Sequence, residues 1–200
     1  KAEKKDEKEK DPVLSVTEHA ITIAGKPVRY KATAGHMPMR DVKTEKTKAN
    51  IFFIAYTKIG TDAEPVDLAK RPVTFSFNGG PGSASIWLHM GALGPKRVLM
   101  TEKGESLPPP YKMADNPHSW LDDSDLVFVD PVSTGYSRAA AGEDPKQFHG
   151  YNEDIASVGD FIRLYTTRNQ RWSSPKFLVG ESYGTTRAAA GWSSPRRSSS

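Results

Sequence analysis

The sequence predicts an α/β fold, with a mostly parallel sheet flanked by helices and entered through antiparallel β structure. Three observations carry this. Val73–Phe77 is a strand pattern that runs through a glycine-rich turn into a small, apolar, helix-compatible run at 84–93. Between 151 and 169, Ile155, Val158, Phe161, Ile162 and Tyr165 recur at three-to-four spacing, the stripe of a helix lying on a sheet. A second strand-to-helix passage follows, from Phe177–Val179 through Gly180-Glu-Ser-Tyr-Gly184 into Thr186–Ala190. Buried strands alternating with helices from residue 72 onward are what parallel strand pairing requires, since each crossover needs a helix.

At 200 residues the chain is long enough for one domain with a good core and too short for two large ones. The first 12 residues hold almost nothing to bury and are expected to be disordered. The domain is expected to span 13–190, with 191–200 an atypical tail foreign to the fold. The net charge of +4 is spread among acids rather than clustered, so nucleic acid is not an expected partner. Cysteine is absent, which removes disulfides, thiol nucleophiles and cysteine-ligated metals. No apolar run reaches a membrane span, and no signal-peptide core is present. The chain begins with Lys, so a processed or trimmed product is expected.

Taken in order, Thr17–Ile23 and Val28–Thr33 flank Gly25-Lys26-Pro27 and predict a β-hairpin. Asn50–Thr57 reads as a further strand and 60–71 as a polar loop. His36 falls just beyond the hairpin and reads as a surface histidine. Gly94-Pro95 closes the helix after the glycine-rich turn, and Arg97–Met100 is a short strand. Leu126–Val129, bounded by acids, is a buried strand leading into Asp130-Pro-Val-Ser-Thr-Gly-Tyr-Ser137, a loop able to shape a pocket. His118 and His149 fall in loops and His89 in a helix, all three reading as structural. In the helix at 151–169, Asn152 is the expected cap. Glu153 and Asp154 near its start and Arg168 at its end suit the helix dipole.

Two stretches carry chemistry. Gly180-Glu181-Ser182-Tyr183-Gly184 reads either as an ordinary strand-to-helix turn or as a nucleophile elbow, in which Ser182 sits at the apex of a turn too tight for a Cβ at either glycine. Asn78-Gly-Gly-Pro-Gly-Ser83 leaves backbone N–H groups free. A hairpin turn, a phosphate cradle and an oxyanion hole all fit a glycine-rich turn. The helix-compatible run after it disfavours the hairpin, and the missing Lys-Ser/Thr ending disfavours the phosphate. With Ser182 counted, the oxyanion hole is the stronger reading.

Four motifs then fall in a familiar order: Phe77-Asn-Gly-Gly-Pro-Gly-Ser, Asp115-Asn-Pro-His-Ser-Trp, Val127-Phe-Val-Asp-Pro-Val-Ser-Thr-Gly-Tyr-Ser and Gly180-Glu-Ser-Tyr-Gly. Over about residues 70–190 the chain resembles the serine carboxypeptidases, α/β-hydrolase exopeptidases active at acidic pH. With its lack of cysteine and its Thr185-Thr-Arg187, it looks more like their bacterial branch. The resemblance implies that Ser182 is the acyl-forming nucleophile, with the backbone N–H groups of Gly80 and Tyr183 as oxyanion hole. It further implies that Asn78, Glu181 and the N–H of Gly79 hold the substrate's terminal carboxylate. No cofactor and no metal are implied, the partner is a peptide substrate, and export with removal of a leader is expected. Glu181 in its protonated form can donate a hydrogen bond to that carboxylate; the other reading makes it a solvent-facing filler. Two positions depart from the family pattern. Ser76 stands where a Trp is usual, and Ala92 where a second Glu often shares a proton with the first.

In this family the triad Asp and His follow the serine, yet the 18 residues after Ser182 contain neither. The expectation is a C-terminally truncated α/β-hydrolase, a serine-type carboxypeptidase by resemblance but an incomplete and nearly inactive fragment on its own. The alternatives are an acyltransferase or esterase on the same scaffold and a non-catalytic binding protein. The last ten residues read as the product of a premature end or as an arginine-serine tail.

Overall fold

The computed structural model describes residues 12–193. Its elements are β1 (Ser15–Ile23), β2 (Lys26–Arg40), β3 (Thr47–Lys58), β4 (Val73–Phe77), α1 (Ile86–Leu88), β5 (Lys96–Val98), β6 (Met113–Asp115), β7 (Asp125–Val129), β8 (Arg138–Ala139), α2 (Tyr151–Arg168), β9 (Lys176–Gly180) and α3 (Tyr183–Ser193). One sheet runs β1-β2-β3-β7-β4-β9, with β8 also pairing β3, and β5 and β6 form a separate ribbon. Residues 191–193 continue α3, and the expected disorder of residues 1–11 lies outside the described residues.

The hairpin forms because Ala24 and Gly25 both take positive φ (48° and 79°), the two-residue turn whose twist matches its strands. It is longer than expected. β2 continues through His36, whose ring stands 5.3 Å from that of Phe52 on β3, so this histidine lies within a strand and not beyond the hairpin. Antiparallel pairing also persists further into the sheet than expected. β1–β2, β2–β3 and β3–β7 are all antiparallel, and only β7–β4 and β4–β9 are parallel. Among the described residues the sheet is therefore mixed rather than mostly parallel. The cause is local: β2 and β3 are long and joined by a short connection that returns the chain alongside itself, with no helical crossover.

Side chains alternate between two cores. Val73, Phe75, Phe77, Val127 and Val129 face α2, where Val158, Phe161 and Tyr165 meet them. The Phe75 and Tyr165 rings meet edge to face at 5.5 Å, and each such ring contributes about 1.5–3 kcal/mol by burial. Leu126 and Phe128 face the other way, onto Tyr30, Tyr56 and Leu93. β9 departs from the expected buried strand. Among the described residues it pairs with β4 alone, at the sheet edge, with Phe177 54% exposed.

Two helical expectations change in detail. The run at 84–93 holds only one α turn before widening into a π turn at His89–Leu93. The Leu88 N–H goes to the Asn78 side-chain oxygen at 3.0 Å instead of to the carbonyl one turn back, and the Gly94 N–H bonds His89 five residues back. α2 is capped by Gly150 rather than Asn152, because Tyr151 is already helical and the Asp154 N–H bonds the Gly150 carbonyl.

At the N-terminal ends of the parallel strands a buried charge cluster sets their register. The Asp125 carboxylate, fully buried, accepts from Arg71 Nε at 2.7 Å, from Arg171 and from the Lys58 N–H at 2.9 Å. Arg171 also donates to the carbonyls of Arg71 and Pro72, and Arg71 to those of Leu121 and Asp122. Replacing Asp125 with Ala strands two guanidinium groups beneath the sheet. Urea unfolding is expected to show a loss of about 3–5 kcal/mol, whereas removing the exposed Glu18 partner of Arg29 costs well under 1 kcal/mol.

Candidate active site

The C-terminal ends of β4 and β9 lie side by side, Phe77 opposite Gly180, and the chain leaves each through a glycine-bearing turn. Ser182 stands between β9 and α3 with φ 56°, a left-handed backbone uncommon for any residue but glycine. It is exposed. The flanking glycines are sterically required. A Cβ on Gly180 would collide with the Gly184 carbonyl, and one on Gly184 with the Phe77 carbonyl. The pentapeptide is thus a strained elbow and not an ordinary turn.

The glycine-rich turn after β4 presses against this elbow. A Cβ on Gly79 would meet the Tyr183 nitrogen, the Glu181 carbonyl at 2.8 Å and the Gly184 nitrogen at 2.9 Å. Gly80 follows with φ 109°. Tyr183 is the first residue of α3, so its N–H has no partner within the helix. The structure thus brings together the nucleophile candidate Ser182 and the turn bearing Gly79 and Gly80, with Tyr183 next to the serine. The Asn78 side chain is buried and oriented, accepting from Leu88 N–H through Oδ1 and donating from Nδ2 to Glu181 at 3.2 Å. All six predicted site residues therefore share one locality.

Arg187 is the residue that the sequence reading overlooked. Its buried guanidinium donates to Asp154 on α2 at 2.8 Å, to the Asn78 carbonyl at 2.7 Å and to the Pro81 carbonyl at 2.8 Å, and it lies 4.9 Å from the Tyr183 ring. One side chain thereby ties α3, α2 and the glycine-rich turn. Burial raises the Asp154 pKa, while the Arg187 hydrogen bond pulls it down. The signal was present: Asp154, Val158, Phe161 and Tyr165 share the apolar stripe of α2, and an acid on such a stripe needs a cationic partner. A second carboxylate, Asp130, receives the N–H groups of Ser85 at 2.8 Å and Tyr136 at 3.3 Å, joining the loop after β7 to the glycine-rich turn.

The chain's serine carboxypeptidase family model matches residues 23–188. The chain belongs to the serine carboxypeptidase family. It is 35% identical over 127 residues to carboxypeptidase Y of Saccharomyces cerevisiae, covering 58% of this chain and 20% of that one. It is 30% identical over 115 residues to serine carboxypeptidase-like 33 of Arabidopsis thaliana, covering 56% and 22%. A pheromone-processing carboxypeptidase of Saccharomyces cerevisiae is 29% identical over 160 residues, covering 75% and 20%. The chain spans about a fifth of the length of these relatives. Within this family member, none of the hydrogen bonds of the described histidines reaches Ser182. His19 bonds Thr17, His36 the Tyr136 carbonyl, His89 Tyr56 and His149 Ser133. Among the described residues no cluster of three or more His, Asp or Glu could hold a metal, and no helix is long and apolar enough to cross a membrane.

His89 supports the site from behind. Its Nε2 lies 2.7 Å from the Tyr56 hydroxyl and its ring stacks on Phe128 at 4.4 Å, directly after the α1 turn that bonds Asn78. Burial lowers its pKa to about 4. The unfolded chain takes up a proton near pH 6.5 that the folded chain refuses until about pH 4, so stability contributed by neutral His89 is present above pH 6.5 and lost on acidification between these values. The expected loss is up to about 3 kcal/mol, and His89→Gln should flatten this part of the stability–pH curve, read as urea midpoints at pH 7, 5.5 and 4. A separate expectation concerns Gly79. Gly79→Ala should cost about 2 kcal/mol or more and displace Tyr183, whereas Gly82→Ala, whose Cβ meets open space, should be neutral in thermal melts.

Proposed function

We propose that this chain carries the nucleophile, oxyanion-hole and carboxylate-binding parts of a serine-type carboxypeptidase acting on the C-terminal peptide bond of peptides. The observation that carries the reading is the joint placement of strained Ser182 and the Asn78–Glu181 pair at adjoining strand ends. Ser182 Oγ attacks the scissile carbonyl, the bond to the terminal residue breaks, and water later releases the acyl group. The N–H groups of Gly80 and Tyr183 receive the charge that develops on the carbonyl oxygen. Asn78 Nδ2 and the Gly79 N–H, with Glu181 beside them, hold the terminal carboxylate, which distinguishes an exopeptidase from an esterase. None of the described histidines hydrogen-bonds Ser182, so the described residues by themselves are expected to turn over at least about 10⁴-fold more slowly than a triad-assisted enzyme.

Binding tests this reading without needing turnover. With Ser182→Ala, an N-blocked dipeptide bearing a free carboxylate should bind about 10–100-fold more tightly than its C-terminal amide by calorimetry, the value of charge-assisted hydrogen bonds. Equal affinity would reject the carboxypeptidase in favour of an esterase or acyltransferase. If neither peptide binds and a fluorophosphonate leaves Ser182 of the unmutated chain unlabelled, the non-catalytic reading replaces both.

A further inference from the structure

The loop leaving β7 carries a second serine in a left-handed backbone. Ser133 has φ 70°, and among the described residues only Ser133 and Ser182 are serines at positive φ. A glycine would hold this turn without strain, so what serine adds here is a hydroxyl. That hydroxyl lies 2.9 Å from His149 Nε2, contributed by the segment just before α2 and 16 residues away in sequence. Both side chains are exposed. Asp154 lines the same cavity as His149. The pair borders a cavity of about 330 Å³ walled by Pro81, Val132 and Phe148, with Thr134 and Arg187 also lining it. Thr134, the residue after the serine, is 4% exposed, and its hydroxyl has no hydrogen-bond partner among the described residues.

We propose that Ser133 and His149 form a second reactive serine site, separate from Ser182, which accepts small esters with apolar acyl groups in this cavity. The residue types fit the task. A hydroxyl nucleophile needs a base within about 2.6–3.2 Å, and His149 is placed there. Val132, Phe148 and Pro81 suit an apolar acyl chain. In the reaction, neutral His149 Nε2 takes the Ser133 proton as Oγ bonds to the carbonyl carbon. The bond from that carbon to the ester oxygen breaks, and the imidazolium returns the proton to the departing alkoxide. Water then attacks the acyl-serine, with His149 taking its proton and handing it back to Ser133 Oγ, which releases the acid.

The test is covalent mapping on the whole chain. A fluorophosphonate bonds to an activated serine with loss of fluoride, and trypsin separates the two candidates, with Ser133 in residues 113–138 and Ser182 in residues 177–187. The expected result is an adduct at Ser133, located by fragmentation, whose formation rate falls about 100-fold or more in His149→Gln. Ser133→Gly should abolish that adduct while leaving the circular dichroism spectrum and thermal melt intact. An unlabelled Ser133, or an adduct whose rate is indifferent to His149→Gln, overturns the proposal. Because each serine is scored on its own peptide, labelling at Ser182 alone overturns the second site and leaves the carboxypeptidase reading in place, and labelling at Ser133 alone supports the second site and leaves the carboxypeptidase reading to the peptide-binding test.

Discussion

The candidate site depends first on the Arg187 guanidinium. The glycine-rich turn after β4 has three glycines in six residues and few side chains with which to fix itself, and the carbonyls of Asn78 and Pro81 point into the molecule. Arg187 meets two of them, Asn78 and Pro81, while its Nε is held by Asp154. Buried carbonyls and a buried cation each carry a large desolvation cost alone, and here each supplies what the other lacks. The turn's position relative to Ser182 is thus set by one planar group on the helix that the elbow itself starts. A lysine, with a single point charge, has no geometry that reaches Asp154 and both carbonyls at once.

A comparable logic operates at the opposite end of the strands. Asp125, Arg71 and Arg171 hold the starts of β7 and β4, and Arg171 lies between α2 and β9. The two buried cation clusters therefore bracket the parallel part of the sheet, with the apolar layer of Phe75, Phe77, Val127 and Val129 between them. Hydrophobic burial supplies the driving force, but it is nearly indifferent to a two-residue slide, which preserves the alternation. Paired charges with fixed hydrogen-bond geometry are not, because a slide leaves them unpaired in a low dielectric. The elbow and the glycine-rich turn meet because the strands beneath them are held in this register.

Much of this was legible in the residues and some was not, for physical reasons. β4 and β7 are short strands buried on both faces, Leu126–Val129 wholly apolar and Val73–Phe77 apolar at every second position, and α2 has a continuous stripe. The elbow was legible because its steric demand is written in the glycines at 180 and 184. The α1 region misled because propensity is local, whereas its third residue is captured by Asn78, eight positions outside its first turn. Asn152 misled because a cap is decided by where the preceding chain enters, and Gly150 entered first. The mixed sheet escaped because β3 reads as half-buried whichever neighbour it takes. Its pairing with β7 is a choice among strands far apart in sequence. Arg187 escaped for the same reason, since its three acceptors lie 33, 106 and 109 residues away.

Positive φ at Ser182 and at Ser133 costs on the order of 1–3 kcal/mol each, and such strain persists only where the surroundings over-determine it. At Ser182 the constraint is steric, with β4, β9 and three glycines leaving the backbone no other course. At Ser133 it is polar. Asp130 gathers the N–H groups of Ser85 and Tyr136, Ser137 bridges the Asp130 carbonyl and the Phe52 N–H, and the Ser133 N–H closes onto the Ser137 carbonyl. Both turns follow strands of the parallel part of the sheet and open on its C-terminal side, where strand ends leave backbone groups unpaired and ligands bind in open α/β sheets. The fold therefore supplies two strained serines at one edge by two different means. Among the described residues, only the second has a histidine at hydrogen-bonding distance.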